Sequence, residues 1–130
     1  MNSKPTILII DDDPTMRQTI RTILEEENCH IAEAHDGQHA LKFLQSKPVD
    51  MIIVDIIMPE KDGIEVIIET TEKYPHIKIL SLSGGGLIDA DAHLHTAQEL
   101  GADQTLVKPF KNNDLIDKVH LLLDDCAPIK

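Results

Sequence analysis

An apolar run leads directly into three acidic residues in the stretch Thr6-Ile-Leu-Ile-Ile-Asp-Asp-Asp-Pro14. Unbroken apolar character over a short segment is typical of a parallel strand that is covered on both faces. The aspartates and the proline favour a turn and a helix start, so they mark the end of that strand. The stretch therefore predicts a central strand over Thr6–Ile10 with acidic side chains at its carboxyl end.

Four more apolar segments follow and predict strands over Cys29–Ala34, Met51–Val54, Ile77–Leu82 and Gln104–Val107. The segments between them repeat apolar residues every three or four positions, as amphipathic helices do. Regular alternation of strands and helices is typical of βαβ units on a parallel sheet. We therefore predict an α/β fold, a doubly wound (βα)5 domain around a five-stranded parallel sheet.

The same periodicity predicts which helix faces are buried. In the first helix the apolar residues share one face, and Arg17 and Arg21 are expected to point to water. The inner stripe of the third helix is assigned to Ile64, Ile67, Ile68 and Thr71. The helix before the fifth strand is expected to contain Ala90, Leu94, Ala97 and Leu100. Helix caps or turns are expected at Asp13, Asp36 and Asp62.

The composition limits the class of protein. A chain of 130 residues with 42% apolar and 27% charged residues is typical of one globular domain. We expect a single domain over residues 1–130, with its core over about 5–125 and no effector domain. Acidic residues outnumber basic ones by 23 to 12, and aromatic residues make up only 2% of the chain. Direct binding to nucleic acid or to an anionic membrane is therefore disfavoured.

The expected location is the cytoplasm. No apolar run approaches the roughly 20 residues that span a bilayer. The N-terminus shows no signal-like pattern, and the spacing of Cys29 and Cys126 fits no metal or redox motif. The seven histidines are assigned to the solvated surface, since His93 and His95 lie two apart on a predicted helix and do not share a face.

Polar side chains follow four of the predicted strands: Asp11 and Asp12, Asp55, Ser83 and Lys108. In an open parallel sheet, ligands bind beyond the carboxyl ends of the strands, where these side chains would converge. Three neighbouring carboxylates repel one another, and Mg²⁺ suits such a site because it prefers a few carboxylates together with phosphate oxygens. Asp55 is then a natural nucleophile for phosphoryl transfer, while the metal and Lys108 neutralise charge. Ser83 could donate a hydrogen bond to a phosphoryl oxygen.

Three motifs resemble those of the receiver domains of two-component response regulators: Ile7-Leu-Ile-Ile-Asp-Asp-Asp-Pro14, Asp55-Ile-Ile-Met-Pro-Glu-Lys-Asp-Gly63 and Lys108-Pro-Phe110. The resemblance implies a flavodoxin/CheY-like fold of the single-domain type. It implies that Asp55 is the phosphoacceptor, and that Asp12 and Asp55 bind Mg²⁺ directly. Asp11 would reach the metal through water, and the backbone carbonyl of Ile57 would complete the protein ligands.

The resemblance also implies roles for the last two side chains. Ser83 occupies the position of the family's switch hydroxyl, which turns toward the phosphoryl group. Lys108 resembles the family lysine, which precedes Pro109 through a cis peptide bond. One departure is Thr105, where the family usually has Tyr or Phe, so an aromatic rotamer change cannot report phosphorylation here.

The implied function is signalling. The chain would accept a phosphoryl group from a sensor histidine kinase or a histidine phosphotransfer protein and contact a downstream protein target. It would catalyse only its own phosphorylation and dephosphorylation. A phosphorelay intermediate, a phosphate sink and a pseudo-receiver that only binds partners remain alternatives.

An alternative of another class is a phosphatase of the haloacid dehalogenase type. Asp11-Asp-Asp13-Pro-Thr15 also fits a strand followed by Asp-x-Asp-x-Thr, with Asp11 as the nucleophile. Such enzymes usually need a longer chain, a cap insertion and a later acidic pair. This alternative leaves the motif from Asp55 to Gly63 without a role.

Overall fold

The computed structural model describes residues 4–56, 62–83 and 98–123, except for the side chain of Asp62. Five strands lie within these ranges: β1 (Thr6–Ile10), β2 (His30–Ala34), β3 (Met51–Asp55), β4 (Lys78–Ser83) and β5 (Gln104–Val107). Their bounds agree with the predicted strands to within one residue at each end. The helices with described bounds are α1 (Pro14–Leu24), α2 (Gly37–Ser46), α3 (Asp62–Lys73) and α4 (Asn112–Leu122).

The strands form one parallel sheet in the order β2-β1-β3-β4-β5. This order is that of the doubly wound flavodoxin/CheY-like fold, so the predicted fold class is confirmed. The predicted helix containing Ala90, Leu94 and Ala97 lies outside the described residues, whereas Leu100 belongs to a helical turn at 98–100. In the described part of the chain, no helix has the length and apolar character that crossing a membrane requires.

Two cores lie on opposite faces of the sheet. Ile7 and Ile9 pack in one core with α1 and α4, whereas Leu8 and Ile10 pack in the other with α2 and α3. All four of these side chains are fully buried. Each contributes about 1.5–3 kcal/mol relative to an exposed position. Because helices cover both faces of the sheet, β1 does not alternate between apolar and polar residues.

Two of the three predicted aspartate caps are present. The side chain of Asp13 accepts a hydrogen bond from the backbone N–H of Thr15 (2.9 Å) and caps α1. Asp36 likewise caps α2 and accepts from the N–H of His39 (2.8 Å). Asp62 is itself the first residue of α3. The first two caps fix where the chain turns from the end of a strand into a helix.

The predicted inner stripe of α3 is partly wrong. Ile67 is buried as predicted, but Ile68 is 37% exposed and Thr71 is exposed. The buried stripe contains Gly63, Val66, Ile67 and Thr70. This buried stripe has helical spacing, but it begins at Gly63, which has no side chain, and ends at the polar Thr70. A prediction based on large apolar residues therefore misplaced it.

Gly63 allows α3 to lie directly against the end of β3. A Cβ atom at this position would overlap the carbonyl oxygen of Asp55 and would lie 2.7 Å from the Cα of Ile56. Both of these atoms belong to the backbone, so they cannot move aside by a change of rotamer.

We expect Gly63→Ala to lower the free energy of unfolding by about 1–3 kcal/mol, the usual cost of overpacking. Urea denaturation measures this difference. The matched control is Glu72→Ala, at an exposed position of the same helix, which should change stability by less than about 0.5 kcal/mol. Equal stability of the two variants would contradict the close contact at Gly63.

Candidate functional site

The carboxyl ends of the strands bring the predicted site residues to one edge of the sheet. Asp11 directly follows β1, Asp55 ends β3, and Ser83 ends β4. Lys108 directly follows β5, and its backbone N–H donates to the carbonyl oxygen of Ser83 (2.8 Å). Asp12, next to Asp11, completes the set. Parallel pairing thus gathers residues from distant parts of the sequence, as predicted.

Three carboxylates cluster at this edge. One oxygen from each of Asp11, Asp12 and Asp55 can be chosen so that all three lie within 4.8 Å of one another. Asp11 and Asp55 are buried, whereas Asp12 is exposed. Oxygen-only ligands with one side open to solvent suit a hard divalent cation such as Mg²⁺, which keeps several water ligands. The residues present therefore fit the metal that the sequence predicts.

Lys108 forms ion pairs with both buried carboxylates. Its Nζ lies 2.9 Å from Asp11 Oδ2 and 3.1 Å from Asp55 Oδ2. Burial alone would lower the pKa of Lys108, but the hydrogen bond to Asp11 and the charges of Asp55 and Asp11 outweigh it and raise the pKa above its ordinary value. The ammonium is therefore charged at neutral pH. The Lys108-Pro109 peptide bond is cis, as the resemblance implies.

Asp11 is held by its backbone as well as by its side chain. Its Oδ1 accepts from the N–H of Asp13 (2.9 Å), and its own N–H donates to the carbonyl oxygen of Ala34 (3.2 Å). Its carbonyl oxygen accepts from Arg17 Nη1 (2.7 Å). These contacts place one carboxylate oxygen toward Lys108 and fix the segment that carries the cluster.

Arg17 was wrongly predicted to point only to water. Besides the contact with Asp11, its Nε donates to Glu33 Oε1 (3.0 Å), and Arg21 Nε donates to Glu33 Oε2 (2.6 Å). Glu33 is the register partner of Ile9, whose side chain lies on the face that α1 covers. Glu33 is thus a charged residue on a strand face that a helix covers. Its position in the sequence could have indicated that it pairs with the arginines of α1.

Glu33 is ionised more readily than an ordinary glutamate. The hydrogen bond from Arg21 lowers its pKa, partial burial opposes this, and Arg17 lowers the pKa further. The net pKa is below the ordinary value of 4.5. The carboxylate thus stays charged between the two guanidinium groups in mildly acidic solution.

The remaining predicted site groups are the backbone carbonyl of Ile57 and the hydroxyl of Ser83. The backbone carbonyl of Ile57 lies outside the described residues. The hydroxyl of Ser83 is buried, and its Oγ has no hydrogen-bond partner within residues 4–56, 62–83 and 98–123. The same holds for the buried hydroxyls of Thr70 and Ser81, and a buried hydroxyl without a partner costs free energy.

The strand order and the carboxylate cluster define a parallel α/β domain with a candidate site for a hard divalent cation. A family model described as the response regulator receiver domain matches residues 7–120. This chain belongs to that family.

The similar proteins include relatives about twice as long as this chain and a relative of nearly the same length. The response regulator GtcR of Aneurinibacillus migulanus is 36% identical over 91% of this chain and 47% of its own length. The chain spans about half the length of several of the curated relatives it matches. The response regulator receiver protein CpdR of Brucella abortus is 31% identical over 90% of this chain and 95% of its own length.

A solved structure has the same fold. The receiver domain of the Francisella response regulator 1452 superposes with a TM-score of 0.80 at 30% identity, over 92% of this chain and 96% of that domain. Receiver domains are signalling domains, so the family assignment disfavours the phosphatase alternative.

We expect Glu33→Gln to lower the free energy of unfolding by about 0.5–1 kcal/mol at pH 7, in the range of a solvent-screened ion pair. Because the folded pKa is lowered, the contribution is present above the unfolded pKa and is lost as the pH falls through the folded pKa. Urea unfolding at several pH values measures the difference. It should shrink below about pH 4.5, whereas the exposed control Glu26→Gln should show little difference at any pH. If the wild type remains more stable than Glu33→Gln by the same amount in acid, the ion pairs of Glu33 are not the cause of the difference.

Proposed function

We propose that this chain accepts a phosphoryl group on Asp55 in a Mg²⁺-dependent reaction and passes the resulting change to a partner protein. The observation that carries the proposal is the ammonium of Lys108, which lies between the carboxylates of Asp11 and Asp55. A carboxylate nucleophile beside a fixed positive charge and a hard-cation site is the arrangement that phosphoryl transfer needs.

A carboxylate oxygen of Asp55 attacks the phosphorus of a phosphohistidine on a sensor kinase or a phosphotransfer protein. The new O–P bond forms as the N–P bond breaks, and the imidazole nitrogen keeps the electron pair. Bound Mg²⁺ would neutralise charge on the transferring group. Asp11, Asp12, Asp55 and the carbonyl of Ile57 would hold the ion, and Lys108 would pair with a phosphoryl oxygen.

Ser83 is the proposed link between phosphorylation and a change in shape. Its buried hydroxyl has no partner in the described part of the chain, and β4 pairs directly with the strand that ends in Asp55. A phosphoryl group on Asp55 would offer an acceptor with negative charge, for which hydrogen bonds are strong. Movement of Ser83 toward it would alter the end of β4.

We expect acetyl phosphate with Mg²⁺ to add one phosphoryl group to the wild-type chain. Intact-mass spectrometry measures the gain. It should be absent in Asp55→Asn, which lacks the nucleophilic oxygen, and absent with EDTA. The control Asp50→Asn changes a carboxylate that accepts from the N–H of Thr6, before the start of β3, and should be phosphorylated normally.

Three other outcomes would change the assignment. No gain with acetyl phosphate or with a phosphorylated histidine phosphotransfer domain would make the chain a pseudo-receiver. A gain that persists in Asp55→Asn and maps to Asp11 would favour the phosphatase alternative. A gain that does not depend on Mg²⁺ would contradict the role of the carboxylate cluster.

We expect Ser83→Ala to be phosphorylated but to respond less in structure, because the methyl group cannot bond to the phosphoryl oxygen. Amide chemical-shift changes on phosphorylation measure the response. Ser81→Ala is a matched control, since its hydroxyl on the same strand is also buried and unpartnered among the described residues. The free energy of unfolding of each variant should equal that of the wild type or exceed it by about 1 kcal/mol, because each substitution removes a buried hydroxyl without a partner. An equal response in the two variants would remove Ser83 from the pathway.

We further propose that output runs through contacts with separate proteins and that the chain works as a single domain in the cytoplasm, where phosphohistidine donors are made from ATP. The similarity to CpdR of Brucella abortus over 95% of that protein supports a receiver of this size. Phosphoryl transfer onward to a histidine phosphotransfer domain would identify a relay. Loss of phosphate without binding to any target would identify a phosphate sink.

A further inference from the structure

A second cluster of metal-ligand side chains lies away from the carboxylate cluster, after the edge strand β2. His35 and Asp36 directly follow β2, and His39 lies in the first turn of α2. One ligand atom from each of these three residues can be chosen so that all lie within 4.8 Å of one another. Two imidazoles and one carboxylate are different chemistry from the oxygen-only cluster at Asp11.

The two imidazoles converge on one carboxylate. His39 Nδ1 lies 2.8 Å from Asp36 Oδ1, and His35 Nε2 lies 3.5 Å from Asp36 Oδ2. The imidazole rings of His35 and His39 are near neighbours, with centroids 4.1 Å apart and planes tilted by 42°. The three side chains therefore form one compact group.

These separations are close to those of ligands on a shared ion. Two atoms bound about 2.1 Å from one metal lie about 3.0 Å apart at a right angle and about 3.4 Å apart at a tetrahedral angle. The two nitrogen-to-oxygen separations, 2.8 and 3.5 Å, lie just below and just above that range, and each involves a different oxygen of Asp36. Binding of one ion by all three groups would therefore require side-chain rotations that bring ligand atoms within 4.8 Å of one another to a common point.

Capping of α2 explains only part of this arrangement. Asp36 Oδ1 accepts from the backbone N–H of His39 (2.8 Å), which is an ordinary cap. That contact needs neither imidazole. The backbone and side-chain hydrogen bonds from His39 hold the pKa of Asp36 below its usual value, so the carboxylate is anionic.

We propose that His35, Asp36 and His39 bind one divalent first-row transition-metal ion, with Zn²⁺ as the test ion. Imidazole nitrogen suits Zn²⁺, Ni²⁺ and Cu²⁺, whereas Mg²⁺ prefers oxygen ligands. The side chains of His35 and His39 are 57% and 56% exposed, so an ion can enter from solvent and keep water in its other positions. The proposal does not depend on phosphoryl transfer to Asp55.

A backbone hydrogen bond links the segment that carries His35 to the segment that carries Asp11. Ala34 precedes His35, and its carbonyl oxygen accepts the N–H of Asp11 (3.2 Å). An ion bound to His35 would therefore fix the segment that follows this hydrogen bond. The experiment must separate the two sites, since Zn²⁺ also binds carboxylates.

Isothermal titration with Zn²⁺ in excess Mg²⁺, which would compete for the carboxylate cluster, should show one equivalent of Zn²⁺ whose binding depends on His35 and His39. His35→Ala and His39→Ala should each weaken this binding at least about tenfold, since loss of a ligand costs no less than loss of a supporting residue. The matched control His76→Ala, at another exposed histidine, should leave the affinity unchanged. Imidazole NMR signals of His35 and His39 should shift on Zn²⁺ addition.

Two results would overturn the proposal. One is no Zn²⁺ binding by the wild-type chain in excess Mg²⁺. The other is equal affinity in wild type, His35→Ala and His39→Ala, which would place the ion elsewhere. His35→Ala leaves the Asp36 cap intact, so far-UV circular dichroism should show an unchanged helix content and separate loss of a ligand from loss of α2.

Discussion

Charge balance at the carboxyl edge of the sheet is the constraint on which the rest of this molecule depends. Three carboxylates meet there, two of them buried, and the ammonium of Lys108 contacts both buried ones. Buried charges are tolerated only when they are paired and hydrogen-bonded. Among the described residues of this cluster, three carboxylates and one ammonium leave two negative charges uncompensated, which is the charge that one divalent cation would balance. The same imbalance that costs stability in the folded chain would thus favour binding of such an ion.

Parallel topology is what makes this concentration of charge possible. Asp11 and Lys108 are 97 residues apart in sequence, and their side chains meet because β1 and β5 point the same way in one sheet. Helices on both faces anchor β1 through fully buried Ile and Leu side chains, and Leu106 of β5 is partly buried against the core that α1 and α4 share. Gly63 then lets α3 approach the end of the strand that carries Asp55. The apolar core therefore holds together groups that would otherwise separate.

The sequence predicted the strands and the residues at their ends well because both depend on local signals. A parallel sheet brings the carboxyl ends of all its strands to one edge, so locating each strand end also locates the site. An unbroken apolar run identifies the buried strands β1 and β3, and the polar residue that follows such a run lies at the shared edge. Side-chain partners were harder. Arg17 looked solvated because helical periodicity describes one helix alone, whereas its partners Glu33 and Asp11 come from two different strand regions. The stripe of α3 was misplaced because close approach of a backbone, at Gly63, leaves no apolar side chain to detect.

His35 and His39 show the same limit for the proposed transition-metal site. Their spacing of four places them near one another, but His35 precedes α2, so only the turn at the end of β2 decides whether the two rings converge. Asp36 was identified as a cap, and it is one, yet capping uses only one backbone N–H. A carboxylate has capacity for several further hydrogen bonds or for a metal ion. One residue can therefore satisfy a structural role and still supply a ligand, so assigning it the first role from sequence does not exclude the second.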